Sequence, residues 1–154
     1  MRIVVVMPLG RQLGGGELML TQLLRQPHDP AVAFTVIFLR DGPMVAEARA
    51  HGHDVRVVEA GRFRHLRQRW AAVRAIVAIA REVHADALLA WMVAAQLMVG
   101  MASWLSGIPA VWYQVGLPQG DLLDRIATML PARGVIVLSQ AGAAAQQALR
   151  PRRP

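Results

Sequence analysis

The hydrophobic pattern of the chain alternates between two periods. Six short stretches have the length and composition of strands; they occupy residues 3–7, 33–39, 54–59, 87–91, 109–114 and 134–138. The first of them is an unbroken apolar run, which is typical of a strand buried on both faces. Between the six stretches, apolar positions recur at three- and four-residue steps, which predicts helices at residues 17–26, 44–50, 63–83, 92–106, 121–130 and 140–149. This alternation predicts an α/β fold: a doubly wound, Rossmann-like parallel sheet of about six strands with helices on both faces, in a single domain.

The longest predicted helix, at residues 63–83, has an apolar stripe on one side and arginines mostly on the other. The stripe is expected to pack on the sheet, and it consists of Phe63, Leu66, Trp70, Val73, Val77 and Ala80. A basic amphipathic helix can also lie on an anionic membrane surface. Peripheral membrane contact through the arginines from Arg62 to Arg81 is therefore an alternative to an ordinary surface helix.

Residues 87–120 contain no charged side chain. About 20 apolar residues are enough to span a bilayer, so a membrane helix is one explanation. The run divides instead into strand-like, helix-like and strand-like parts, with Gly107 and Pro109 between the last two. A strand–helix–strand unit in the middle of a parallel sheet is buried on all sides, and we expect that arrangement here.

Composition and charge indicate the number of domains, the cellular compartment and the class of partners. The 154 residues suit one domain, and the absence of cysteine fits a reducing, cytoplasmic location. All 17 basic residues behind the net charge of +7 are arginines, and they include one cluster from Arg62 to Arg81 and another at Arg150, Arg152 and Arg153. Such clusters are attracted to anionic partners, but we expect no nucleic-acid partner. No metal site is expected either, because the histidines lack the spacing of a ligand set.

The first strand runs into three consecutive glycines, Gly14, Gly15 and Gly16, and then into a helix that begins at Glu17. A buried strand, a glycine loop and a helix N-terminus together favour an anion, because free N–H groups and the helix dipole attract negative charge. A simple tight turn is the other explanation. A dinucleotide fingerprint would need glycine where Met19 stands, and a P-loop would need lysine at Gly16.

Several stretches, in order, resemble the N-terminal domain of family 4 glycosyltransferases, retaining enzymes of the two-domain GT-B fold. The resemblance covers the whole chain, residues 1–154. It rests on Gly14-Gly15-Gly16-Glu17, Asp41-Gly42-Pro43, Gly52-His53-Asp54-Val55, Ala85-Asp86-Ala87-Leu88-Leu89, Gly107-Ile108-Pro109-Ala110-Val111 and Val135-Ile136-Val137-Leu138-Ser139.

This resemblance implies the acceptor-binding half of a retaining transferase that moves a sugar from a nucleotide-sugar donor to a glycan, lipid or small-molecule acceptor. The nucleotide sugar would be a co-substrate, and no cofactor is implied. Residues Gly14 to Glu17 would face the donor diphosphate. The acceptor would meet the residues that follow the fourth, fifth and sixth strands, namely Trp91, Gln114, Gly116 and Ser139.

Two departures from the family leave the activity open. Where many members carry a histidine near the reacting sugar, this chain has Val115, or Gln114 if the alignment shifts by one residue. No catalytic residue is therefore assigned. The family's C-terminal nucleotide-sugar-binding domain is also absent from this sequence, so a missing domain or a partner chain would have to supply it. The alternative is a non-catalytic Rossmann-like binding module, from a truncated or degenerate transferase, that recognises a phosphorylated ligand or a partner protein.

Overall fold

The computed structural model describes residues 1–26, 29–62 and 64–149. Within these residues, six strands form one sheet in the order β3-β2-β1-β4-β5-β6, and every neighbouring pair is parallel. The strands are β1 (Arg2–Met7), β2 (Ala33–Phe38), β3 (Asp54–Val57), β4 (Ala87–Trp91), β5 (Ala110–Gln114) and β6 (Gly134–Val137). The doubly wound parallel sheet predicted from the sequence is confirmed.

In the described part of the chain, six helices connect and follow these strands. They are α1 (Gly15–Arg25), α2 (Pro43–Ala50), α3 (Leu66–Glu82), α4 (Met92–Ser106), α5 (Leu122–Met129) and α6 (Gln140–Ala148). The side chains of α1 and α2 join one apolar cluster, and those of α3, α4 and α5 join a second cluster. Because the two clusters draw on alternate residues of β1, they lie on opposite faces of the sheet.

The centre of the sheet is buried as its unbroken apolar runs predict. Val4, Val5 and Val6 of β1 have no exposed surface, and neither has Leu88 of β4. Central parallel strands are covered by helices on both faces, so every position favours an apolar side chain. This explains why β1 has no polar alternation.

The uncharged region from residue 87 to residue 120 is a strand, a helix and a strand, so a continuous membrane helix over residues 87–105 is excluded. The αL conformation of Gly107, at φ 75°, ends α4 before β5 begins. Within the described residues, no helix combines the length and the apolar character that crossing a bilayer requires.

The stripe predicted along the longest helix is wrong in its first turns. Leu66 is 74% exposed and Trp70 is 48% exposed, whereas Val73, Val77 and Ala80 are buried as expected. The helix packs on the sheet mainly through its second half, where Ala72 and Ile76 are also buried. A periodic stripe shows which residues share a side, but not how far the neighbouring surface extends along the helix.

Some predictions fall on residues outside the described ranges. These are the predicted start of the longest helix at Phe63 and the C-terminal arginines Arg150, Arg152 and Arg153.

Candidate functional site

The order of the strands creates a crevice between the loops that follow β1 and β4. From β1 the chain continues outward to β2 and β3, and from β4 it continues the other way to β5 and β6. Ligands of doubly wound sheets bind at such a switch point, beyond the carboxyl ends of the strands. The glycine loop and the start of α1 lie directly after β1, at this edge.

The three glycines of the loop serve α1 in different ways. Gly14 is its N-cap residue and is extended, with φ −165°, while Gly15 and Gly16 form its first turn. The helix thus begins two residues earlier than predicted. None of the three has a positive φ, so a left-handed turn does not explain them.

The space around each glycine distinguishes Gly15 from Gly16. A Cβ added to Gly15 would meet no atom within 4 Å. A Cβ added to Gly16 would lie 2.6 Å from Cε of Met92 and 2.9 Å from Cγ1 of Val115. Gly16 is therefore required for close packing, whereas Gly15 borders open space and leaves room for a ligand to approach the backbone.

Among the residues that the structure describes, no side chain caps the N-terminus of α1. Because the first N–H groups of an α-helix have no partner within the helix, those of α1 are open to a ligand. Glu17 lies in this first turn and is 3% exposed. Its carboxylate lies beside Gly14, since a Cβ added to Gly14 would be 3.4 Å from Oε2 of Glu17. Glutamate at the third helical position characteristically folds back toward the N-cap. Its carboxylate competes with a bound anion for the positive end of the helix dipole.

Trp91, at the end of β4, fixes the first turn of α1. Its indole Nε1 donates a hydrogen bond to the carbonyl oxygen of Gly16 at 2.9 Å. Trp91 is 4% exposed. The centroids of its ring and of the Tyr113 ring lie 4.3 Å apart, and the two ring planes make an angle of 41°. A buried ring offers little surface for stacking on a sugar. The acceptor role of Trp91 stays a prediction, and the sequence did not indicate its contact with Gly16.

Met92 follows Trp91 and has φ 72°, a left-handed conformation that is uncommon for a residue with a side chain. Such a conformation costs on the order of 1–3 kcal/mol and persists only where the surrounding structure enforces it. Here its side chain packs against Gly16. Backbone strain therefore lies beside the candidate loop, as is common at ligand sites.

Gln114 and Val115 point to opposite faces of the sheet. Val115 packs with the cluster of α1 and α2, beside Gly16, whereas Gln114 follows the alternation of Trp112 in the other cluster. Gln114 is 4% exposed, and its Oε1 has no hydrogen-bond partner within the described part of the chain. Val115, rather than Gln114, is therefore the neighbour of the glycine loop.

The loop after β5 is shaped by Asp124, which the sequence analysis did not single out. Its Oδ2 accepts hydrogen bonds from the backbone N–H groups of Gln119, at 2.6 Å, and Gly120, at 2.9 Å. Gly116 begins this loop with φ 80° and open space around it. The repeat of aspartate at positions 121 and 124, beside two glycines, was the signal for such a loop.

Ser139 follows β6 at the same edge of the sheet. Its Oγ accepts a hydrogen bond from the N–H of Gly142 at 3.1 Å, so its predicted role as N-cap of α6 is confirmed. Contact with an acceptor remains a prediction for Ser139, as it does for Gly116.

A cavity of about 130 Å³ opens at the same edge, between the loops after β1, β2 and β3 and the helices α3 and α4. Arg40 and Arg69 contribute its cationic groups. Burial lowers the pKa of Arg69 from its ordinary value, because desolvation disfavours its charged form. Within the described ranges, no three histidine, aspartate or glutamate side chains group as metal ligands do.

Solved structures of other proteins align with nearly the whole of this chain. The structure of Anabaena Alr3699/HepE in complex with UDP aligns with a TM-score of 0.79 and 24% identity, over 97% of this chain and 41% of that one. HepE in complex with UDP-glucose aligns with a TM-score of 0.78 and 23% identity, over 96% and 40% of the two chains.

The apo form of WaaB, a lipopolysaccharide outer core galactosyltransferase, aligns with a TM-score of 0.74 and 14% identity, over 97% of this chain and 42% of that one. No protein-family model and no curated protein matches the sequence. This chain thus spans about two-fifths of the length of the solved proteins it resembles. Its fold is that of one half of a GT-B glycosyltransferase, as the sequence resemblance implied.

Proposed function

We propose that this chain is the acceptor-binding half of a retaining glycosyltransferase that takes a sugar from a nucleotide-sugar donor. The observation that carries the proposal is the open N-terminus of α1 at Gly15, above the switch point of the sheet. The fold that presents it is shared with a protein solved with UDP and with UDP-glucose. A second half, in the same or another chain, would hold the nucleotide.

The chemistry assigned to this half is electrostatic. Departure of the nucleoside diphosphate leaves negative charge on its phosphates. N–H groups fixed in advance at the start of a helix stabilise that charge without reorganising. Trp91 keeps these groups in place by holding the carbonyl of Gly16. Gly15 permits the close approach because no side chain stands between the backbone and the ligand.

The acceptor would lie across the same edge, near Gly116 and Ser139, with Trp91 and Gln114 behind them. A glycan, a lipid or a small molecule could each fill this role, and the site residues do not select among them. Nucleotide sugars and the absence of cysteine both favour the cytoplasm as the place of action.

A second candidate is a binding module without catalytic activity, which recognises a phosphorylated ligand or a partner protein through the same loops. Val115 favours it, because an aliphatic side chain beside Gly16 has no donor or acceptor for a reacting sugar. The two candidates share the anion site and differ in turnover.

A fusion of this chain to the remaining part of HepE tests the proposal. We expect the fusion to bind UDP, to release UDP from UDP-glucose in the presence of an acceptor, and to lose turnover in Gly15→Ala while its melting temperature is unchanged or slightly raised. Cooperative melting and UDP binding without any turnover would favour the binding module. Equal turnover in the Gly15→Ala fusion and the unsubstituted fusion would contradict the proposed contact of the glycine loop with the donor diphosphate.

A further inference from the structure

A groove of about 580 Å³ lies between α3 and α4 on the surface of the molecule. It is lined by Trp70, Arg74, Val77, Ala78, Arg81 and Leu105. The sequence predicted that Trp70 would be covered by the sheet, so its position in an open groove is a departure that needs an explanation.

Large apolar side chains of the two helices that form this groove face the solvent. Leu66 and Trp70 lie one helical turn apart on α3, and they are 74% and 48% exposed. Trp104 and Leu105, at the end of α4, are 76% and 38% exposed. Exposed apolar side chains scattered singly are normal, but a group of them on adjoining helices indicates an interaction surface.

The same side of α3 carries a row of cations. Arg67, Arg74 and Arg81 recur every seven residues and are all exposed, so they lie on one side of the helix. Among the described residues, no ion pair engages any of these three. The one acidic residue of α3, Glu82, pairs instead with Arg56, whose Nη2 lies 3.0 Å from Oε1.

We propose that this surface, formed by the Arg67–Arg74–Arg81 row with Leu66, Trp70, Trp104 and Leu105, docks onto an anionic lipid bilayer. Arginine forks bind lipid phosphates, and tryptophan and leucine insert into the boundary between headgroups and acyl chains. The arginine row would therefore contact the lipid phosphates, and the exposed apolar side chains would contact the acyl chains beneath them. The proposal does not depend on sugar transfer.

Vesicle binding tests the electrostatic part. We expect the full chain to sediment with vesicles of phosphatidylcholine and phosphatidylglycerol in equal parts, and not with phosphatidylcholine alone. Because each arginine near an anionic surface adds to membrane affinity, Arg74→Gln/Arg81→Gln is expected to bind roughly thirtyfold more weakly. The control is Arg25→Gln/Arg49→Gln, which removes the same charge from α1 and α2 on the opposite face. Because this control also removes the Arg25–Glu47 ion pair, thermal melts verify that each variant is folded.

Tryptophan fluorescence tests the apolar part. Of the four tryptophans, Trp91 and Trp112 are buried, whereas Trp70 and Trp104 are exposed. Insertion of the exposed pair is expected to shift emission to the blue when anionic vesicles are added. Trp70→Phe/Trp104→Phe is expected to abolish the shift while preserving sedimentation, because phenylalanine keeps the apolar contact.

Three results would overturn the proposal. The first is failure of the folded wild-type chain to bind the anionic vesicles. The second is an equal loss of binding in the control variant, which would reduce the effect to net charge. The third is binding to duplex DNA as tight as to anionic vesicles without any blue shift, which would indicate a general polyanion surface.

Discussion

The indole of Trp91 donates a hydrogen bond to the carbonyl oxygen of Gly16, across 2.9 Å and 75 positions of sequence. This bond joins the end of β4 to the first turn of α1, the two elements that border the switch point. The position of the helix N-terminus, and hence of its N–H groups, therefore depends on a residue in the neighbouring strand.

Trp91→Phe should measure how much this hydrogen bond contributes to the free energy of unfolding. It removes the donor and leaves a buried carbonyl with one partner fewer, which costs about 1–3 kcal/mol of unfolding free energy. Trp112→Phe is the matched control, since Trp112 is equally buried and its Nε1 has no partner among the described residues. Chemical denaturation should show the larger loss for Trp91→Phe. Equal losses would mean that only ring volume matters at both positions.

Alanine at the two helical glycines should have opposite effects on stability. Gly15→Ala adds a methyl group in open space and should stabilise α1 by roughly 0.5–1 kcal/mol. Gly16→Ala drives a Cβ into Met92 and Val115 and should destabilise the fold by about 1–3 kcal/mol. Denaturant titrations of the two variants decide the matter. Similar effects from both would contradict the distinction between a packing glycine and an open one.

The sequence was sufficient for the fold and only partly for the site. Residues 3–7 predict a buried strand because every position is apolar, and the structure places Val4, Val5 and Val6 at the centre of the sheet. The partnership of Trp91 with Gly16 could not be predicted, since no local pattern links residues on different strands and helices. Likewise Trp70 was assigned to the core by its spacing, but spacing does not show where the covering surface ends.

Asp124 should hold the loop after β5 in place. Asp124→Ala removes an acceptor shared by two backbone N–H groups and should cost about 1.5–3 kcal/mol, the range for bonds to a charged group. Asp121→Ala removes only the N-cap bond of α5 and should cost about 1 kcal/mol. Limited proteolysis should then cut near Gly116–Gly120 in the Asp124 variant first. Identical stability and cleavage in both variants would disprove the positioning role.

Alkaline pH should destabilise the protein through one residue. Burial raises the pKa of Tyr113 above its ordinary value of 10.0, because desolvation disfavours the phenolate. The unfolded chain therefore loses this proton first, so the unfolding free energy holds below about pH 10 and falls as the pH rises further. Tyr113 is the only tyrosine, and the chain has no lysine or cysteine, the other side chains whose ordinary pKa values lie near this range.

Denaturation across this pH range should show the decline in the wild-type protein and its loss in Tyr113→Phe. Absorbance of the phenolate reports the same group directly. A Tyr113 that ionises at its ordinary pKa, with stability unchanged through pH 10, would contradict the effect assigned to burial.

The central claim is that the N–H groups at the start of α1 meet a diphosphate. Amide NMR on the isolated chain, titrated with UDP and separately with uridine, tests it most directly because weak binding is still visible. We expect the amide signals of Gly15, Gly16 and Glu17 to move with UDP and to remain still with uridine, and Gly15→Ala to weaken the response. UDP shifts that bypass these three amides, or equal shifts with uridine, would contradict the claim.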